Sequence, residues 1–460
     1  MHTYIIRRLL LMIPTLLGIT IVVFAVMAAS PGGISAQSLI EGQNLEPQAK
    51  KALEEYYNRL YGLDSPPPIQ YLRWLNNISP VGFTFDDEGR ISGFSLVKGS
   101  YLGTSFRYGR PVGDLLLERI PITLLLNIIT IPLIYAIAIG IGVKAATQRG
   151  KPFDIGSGIV LLALWSVPTM LAGVLLIGFF ANDQYWHWFP TSGLLSIEAE
   201  AMPFLPHWTR FTDILLIFFS MCAGLITFVL VNRLHNAALR AALMSGAGVF
   251  IGIAMGQSLS APEGVFWSTI LALGIGSLFG ALAYVDFTGL RVTFFGITGA
   301  IIGIVLCVPW LQGEFIRGFL LDRAWHLVLP VICLSYGGFA ALAKLTRTAV
   351  LENLLADYAR TARAKGVPEK QVLWRHVFRN SLLPLITVAA SLLPSLLAGS
   401  VIVESIFSIE GMGKLAIEAV QTRDRELVLS VTFIGGILTL LGYLLADICY
   451  AIADPRVSYD

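Results

Sequence analysis

Charge is scarce in this chain. Asp, Glu, Lys and Arg make up 13% of its 460 residues, while 55% are hydrophobic. A soluble domain carries about twice that charged fraction. So much apolar surface cannot all face water, which excludes an ordinary soluble globule and indicates an integral membrane protein. The 32 basic and 30 acidic residues nearly cancel, to +2. In a membrane protein the placement of charge says more than its sum. No nucleic acid is expected among the partners.

Cysteine is equally rare. Cys222, Cys307, Cys333 and Cys449 all fall in apolar runs, and none has a CxxC partner. That argues against a disulfide framework or a zinc site, and for small apolar packing residues. The six histidines (His2, His187, His207, His235, His326 and His376) form no HExxH and no i, i+4 pair, so no metal site is expected. His187, in the aromatic-rich "YWHWFPTSG", reads as part of an interfacial belt. A phosphate-binding loop needs G-x4-G-K-[ST], so that backbone amides cradle phosphate and a hydroxyl meets magnesium. The nearest approach, "SIEGMGKL" at 408–415, lacks the first glycine and the hydroxyl. No nucleophile stands beside a buried base, which argues against an intramembrane enzyme. Catalytic residues and cofactors are therefore both read as none.

What the chain has is long apolar runs. They lie at about 9–29, 120–143, 156–180, 213–231, 241–258, 266–285, 291–310, 326–346, 381–403 and 428–452, which predicts about ten transmembrane helices. The first could pass for a signal peptide. Its apolar stretch is too long for one, so it reads as an uncleaved span. Arg7 and Arg8, then Lys144, Arg149 and Lys151, then Arg233 and Arg240, the 344–379 cluster and Arg456 all fall on one side. By the positive-inside bias that side is cytoplasmic, with both termini on it. Residues 30–119 form a large outside segment, whose "DSPPPIQYLRWLNN" mixes proline with amphipathic helix signals. Gly248-x3-Gly252-x3-Gly256, Gly276-x3-Gly280 and Gly299-x3-Gly303 let helices approach closely, within the chain or across a dimer face. No internal repeat stands out.

Acidic residues inside the spans are few. Glu404 and Asp447 are noticed, and an intramembrane carboxylate is a candidate functional group. Both lie near helix ends, so structural hydrogen bonding is favoured over proton coupling. Asn127, Pro132, Pro384 and Pro394 could bend the walls of a pathway.

The densest signal is "ADYARTARAKGVPEKQVLWRHVFRNSLLP", residues 356–384, a basic stretch between two apolar runs. The pattern from Leu345 to Val377 is helical, broken at Gly366-Val367-Pro368. Glycine permits a left-handed turn at the end of one helix, and proline suits the start of the next. A helix pair with small residues at Ala359, Ala362, Ala364 and Gly366 would fit a partner's groove. It would also fit anionic headgroups as a basic interfacial helix.

This stretch resembles the cytoplasmic "EAA" loop of ABC-transporter permeases in its peptide/nickel importer form. The matching residues are Tyr358, Arg360, Thr361, Ala362, Arg363, Ala364, Lys365 and Gly366, then Arg375, His376, Arg379, Asn380 and Pro384. Arg360-Thr361-Ala362 stands where the general loop has Glu-Ala-Ala. The opening "YIIRRLLLMIPTLLGITIVVF" is similar to the first helix of the B-type permease. "YLGTSFRYGRPVGDLLLERIPITLLL", "HLVLPVICLSYGGFAALAKLTRTAVLE", "VESIFSIEGMGKLAIEAVQTRDREL" and the ending "ADPR" resemble later family segments. The usual Pro-Gly-Asp-Pro after the first helix is replaced by Pro31-Gly32-Gly33-Ile34, and the block at about 210–320 has no counterpart in a six-helix permease.

The resemblance implies an all-α membrane protein with a six-helix importer permease core and a four-helix insertion. The expected layout is a first span (1–29), an extracytoplasmic segment (30–119), a first core part (120–210), inserted helices (211–320) and a second core part (321–460) with the coupling loop at 350–380. It implies separate ATP-binding cassette ATPase subunits, a second homologous permease and an extracytoplasmic solute-binding protein as partners, besides membrane lipid. It implies import of peptides or related small solutes across a bacterial or archaeal plasma (inner) membrane. The competing reading is an ion-coupled secondary transporter, which would need carboxylates or broken helices near the midplane.

Overall fold

The computed structural model describes residues 2–30, 65–85, 91–258, 264–284 and 288–453, with a few positions between 48 and 55. The Pro31-Gly32-Gly33-Ile34 departure, much of the outside segment and all but Ala453 of the ADPR ending lie outside the described residues. Contacts group the chain into Met1–Gly173 with Pro330–Asp460, and Val174–Leu329. The second unit is wider in sequence than the expected 211–320 block.

The first unit is built around long apolar helices. Helix α1 is His2–Ala29, and α2 is Pro67–Ile78, started by prolines whose missing N–H costs nothing at a helix N-terminus. A short antiparallel hairpin follows, β1 (Gly82–Phe85) with β2 (Ile91–Ser95). Helix α3 is Val112–Thr147, α4 is Pro152–Ser166 and α5 is Thr169–Phe180. The last two are bent by 95° at Val167-Pro168. Val167 is extended (ψ 122°), as a residue before proline must be. The run at 156–180, read as one span, is thus a broken pair.

Helix α2 packs on α1. Tyr71, Trp74 and Ile78 pack with Phe24 of α1 and with Leu429, and the Thr20 and Tyr71 hydroxyls are 2.9 Å apart. This fulfils the partly helical expectation for "IQYLRWLNN".

Most of the second unit is four apolar helices. Helix α6 is Phe211–Asn232, α7 Ala237–Gln257, α8 Gly264–Tyr284 and α9 Thr288–Cys307. A two-stranded ribbon joins β3 (His207–Trp208) to β4 (Phe315–Ile316). Helix α7 packs along α8, and α6 along α9.

That pairing exposes an internal repeat which the sequence did not announce. "LRAALMSGAGVFIGI" at 239–253 aligns with "LRVTFFGITGAIIGI" at 290–304, an offset of 51 from Arg240 to Arg291. The contacts repeat at the same offset, with the partners exchanged. Arg240 Nε donates to the Ala283 carbonyl (2.6 Å) at the end of α8, and Arg291 Nη2 to the Asn232 carbonyl (3.0 Å) at the end of α6. Gly252 of α7 lies against Leu271 and Ala272, and Gly303 of α9 against Ser220 and Met221. Each arginine thus caps the C-terminal carbonyls of the helix that its own helix packs along, where a cation also meets the helix dipole. The core is exchanged likewise, with Met244 and Phe295, and Phe228 and Phe279, in equivalent places. The Gly-x3-Gly stripes serve these contacts inside the chain.

The remaining helices are α10 (Gly318–Leu355), α11 (Asp357–Ala364), α12 (Phe378–Ile406), α13 (Met412–Gln421) and α14 (Arg425–Ala453). Among the described residues eight helices are long and apolar enough to cross a membrane, or nine with the bent pair counted as one span. The further expected run, 381–403, falls within α12. The all-α membrane architecture is as the sequence predicts.

Candidate coupling loop and the outer polar cluster

Helix α10 stops where Ala356 turns extended (ψ 151°), and α11 begins at Asp357. Its end is a complete Schellman motif. The Gly366 N–H donates to the Arg363 carbonyl (2.9 Å) and the Val367 N–H to the Ala362 carbonyl (3.2 Å). Gly366 has φ +78°, which glycine adopts without a Cβ penalty. Pro368 caps a helical turn at Glu369–Gln371, and a π-turn over Val372–Val377 leads into α12. Such a turn inserts an extra residue into the ladder and often marks functional places.

The loop has an inner and an outer face. Ala359, Ala362, Val372 and Val377 are buried with Val143 and Ala146 of α3 and Val350 of α10. Ala362 and Ala359 therefore point inward, not to a partner as the small-residue surface suggested. Their smallness lets α11 lie close on the ends of α3 and α10. Tyr358, Arg360, Thr361, Arg363, Ala364, Lys365, Gly366, Arg375, Arg379 and Asn380 are exposed, and His376 is half-buried. Lys365, Lys370, Arg375 and Arg379 form no ion pair among the described residues, so this face carries free positive charge.

Two polar links, unread in the sequence, hold the loop in shape. Arg363 pairs bidentately with Glu369 (2.8 and 3.0 Å) and also donates to the Leu354 carbonyl (3.2 Å), tying both sides of the turn to the end of α10. The Tyr358 hydroxyl donates to the Asn353 side chain, which donates to Ser381 Oγ (3.1 Å). The fully buried Ser381 donates in turn to the Ala349 and Val377 carbonyls. An Arg at 363 with a Glu six residues on, across a Gly-Val-Pro turn, was the available signal for the first link.

The Arg363 guanidinium holds the Glu369 carboxyl below its ordinary value. A carboxyl lowered by folding contributes stability above its unfolded value and loses it as pH falls through the folded one. Loop amides at 363–369 are expected to exchange faster, relative to their intrinsic rate at each pH, below about pH 4. Glu369→Gln at pH 7 should show the same acceleration, read by hydrogen exchange. Equal exchange in both proteins would remove the pair from the account.

At the other end of α12 lies a second polar cluster. Glu404, fully buried, accepts from Thr123 Oγ1 of α3 (2.8 Å) and from the Lys414 N–H of α13 (2.9 Å). Thr123 Oγ1 accepts from the Met412 N–H (2.8 Å). The carboxylate thus caps the first turn of α13, where orphan amides and the dipole favour negative charge. Asp424, also fully buried, accepts from Ser105 Oγ (2.6 Å), the Arg107 N–H (3.2 Å) and the Leu427 N–H (3.2 Å), joining the 102–111 segment to the start of α14. Tyr108 bonds Glu418, and burial with that carboxylate pushes its phenol up to about 12. Asp447 pairs with Arg8 of α1 (3.1 Å). Both carboxylates noticed in the spans therefore have structural partners.

The profile described as the inner membrane component of binding-protein-dependent transport systems matches residues 248–459, and that of the N-terminal part of such membrane components matches residues 1–127. The oligopeptide transport system permease protein AppB of Bacillus subtilis is 28% identical over 459 residues, covering all of both chains. The di/tripeptide transport system permease protein DppB of Pseudomonas aeruginosa is 28% identical over 459 residues, covering all of this chain and 99% of its own. The inner membrane ABC transporter permease protein YejB of Escherichia coli O157:H7 is 24% identical over 497 residues and covers both chains fully. The chain belongs to the binding-protein-dependent transport system inner membrane component family and is a multi-pass permease subunit.

Proposed function

We propose that this chain is a transmembrane permease subunit of an ATP-driven importer for peptides or related small solutes. The naming of its relatives for oligopeptides and di/tripeptides supports the substrate class. The observation that carries the mechanism is the loop's division into two faces. Its buried face is fused to the ends of α3, α10 and α12, so displacement of the loop moves three helices together. Its exposed face offers Arg360, Lys365, Lys370, Arg375 and Arg379 to a soluble partner. ATPase subunits hydrolyse ATP elsewhere and pull or push this face. The helices then alternate between inward and outward openings. A second, related permease completes the pathway, and an extracytoplasmic binding protein delivers solute at the end where Glu404 and Asp424 organise the cap. Both termini and the loop are cytoplasmic, and the chain itself is not an enzyme.

Gly366→Glu tests this. An added Cβ at Gly366 meets nothing within 4 Å, so the new side chain enters open space. The left-handed backbone alone costs about 1–2 kcal/mol, too little to unfold the spans. Tagged wild type in mild detergent should retain an ATPase subunit, and Gly366→Glu should lose it by more than about tenfold, with Gly366→Asn in between. Normal ATPase retention and uptake by Gly366→Glu at normal expression would refute the coupling role. Uptake by the purified chain without ATP would favour the ion-coupled reading instead.

A further inference from the structure

A groove of about 720 Å³ lies in the first unit between α3, α4 and α10, and the transport reading makes no use of it. Its walls are apolar, with Ile155, Ile159, Leu162 and Trp165 of α4 facing outward. Its floor is small: Gly158 lines it, and an added Cβ there meets nothing within 4 Å, so the trench is open along α4. One end carries charge. Asp154 accepts from Arg347 through both oxygens (2.5 and 2.8 Å), and the Gly150 N–H donates to the same carboxylate (3.0 Å). That pair is neutral. Lys344, one helical turn away on the same wall of α10, is exposed and forms no ion pair among the described residues. Arg149, close enough to act on the Asp154 carboxylate, and Lys151, the residue before α4, are exposed too.

The lining therefore holds the cation of Lys344 beyond the neutral Asp154–Arg347 pair, with Arg149 and Lys151 exposed on the adjoining segment, beside an apolar trench. The excess of Lys and Arg at 144–151 and 344–347 places this end at the cytoplasmic leaflet. That leaflet is rich in anionic lipid, and basic pockets between spans on this side suit charged headgroups. A soluble ligand would leave the exposed isoleucines and Trp165 uncovered, whereas acyl chains would cover them. We propose that the groove binds an anionic phospholipid of the inner leaflet. Its chains run along Ile155, Ile159 and Leu162 past Gly158. Its phosphate is held by Lys344, with Arg149 and Lys151 at the rim, while the Asp154–Arg347 pair keeps α4 and α10 in register.

The full chain, purified in mild detergent with the subunits that accompany it, is to be examined by native mass spectrometry and lipid extraction. Its thermal unfolding is to be followed with added phosphatidylglycerol, cardiolipin or phosphatidylcholine. Wild type should retain anionic phospholipid and be stabilised by phosphatidylglycerol or cardiolipin but not by phosphatidylcholine. Lys344→Gln should lower retained anionic lipid about fivefold, the effect of one cation at a membrane surface. Gly158→Phe, whose Cβ meets nothing within 4 Å and whose ring would occupy the trench, should lower it whatever the headgroup. Both variants should unfold near the wild-type temperature in lipid-free detergent. Equal retention of phosphatidylcholine and phosphatidylglycerol by wild type would overturn the proposal, as would unchanged anionic lipid in both variants. Capture of a protein subunit, rather than lipid, by a photo-crosslinker at position 158 would also overturn it, since the groove would then be a protein interface.

Discussion

Glu404→Ala is expected to destabilise the chain by about 3–6 kcal/mol, each of its two lost hydrogen bonds to a buried charged group counting about 1.5–3 kcal/mol. The carboxylate bonds Thr123 and the Lys414 amide, and its removal leaves these donors without an acceptor in a space closed to water. Gly411 and Gly413 lie directly against the carboxylate. The first turn of α13 should fray, and with it the packing of Met412 and Leu415 against Val112 and Leu115. The measurement is thermal unfolding in detergent, with yield of folded chain as a second readout. Glu404→Gln separates the two roles a buried carboxylate can have. If Glu404 caps α13, the amide loses part of the stability and the pH profile of uptake stays as in wild type. If Glu404 carried a coupling proton, the variant would fold normally and its uptake would lose pH dependence.

Gly142→Leu is expected to uncouple the loop from the membrane helices. A Cβ at this position would meet Thr346 Cβ at 2.5 Å and the Ala343 carbonyl oxygen at 2.8 Å. The carbonyl belongs to the backbone of α10 and cannot rotate away. The helices α3 and α10 must separate, at a cost of about 1–3 kcal/mol for overpacking. Val143 and Ala146 follow directly on α3 and form part of the bed on which Ala359 and Ala362 lie. The wedge should therefore lift the loop without changing any residue of its exposed face. ATPase activity of the assembled complex should become independent of solute and binding protein, while uptake falls by more than about tenfold. Stimulated ATPase and uptake at wild-type levels would show that the α3–α10 approach is not part of the transmission. Gly142→Ala, which adds the same Cβ without the bulk, should fall between.

The spans were legible because apolar runs of bilayer length leave few alternatives, and the loop because Gly366-Val367-Pro368 can hardly be anything but a stop and a restart. Other features were hidden for physical reasons. Val167-Pro168 breaks 156–180 into two helices, which hydropathy does not register because both halves are apolar. Ala362 looked like a docking surface, since the sequence records that a residue is small but not which way it faces. The Tyr358–Asn353–Ser381 chain joins three helices, and no single window contains both ends of it. The 51-residue repeat escaped notice because its two copies share mostly glycines and isoleucines, the commonest letters of a membrane helix. Only the exchanged arginine bonds make the equivalence plain.

That exchange constrains how such a permease can change length over evolution. Either consecutive helix pair, α6–α7 or α8–α9, could be deleted alone without altering which side of the membrane the C-terminus reaches, so topology permits the loss. Energetics does not. Removing α8–α9 would leave Arg240 buried without the Ala283 carbonyl and α6 without the arginine that caps it, and removing α6–α7 would strand Arg291 in the same way. The four helices are therefore inherited or discarded together, and viable relatives should differ in this region by all four at once.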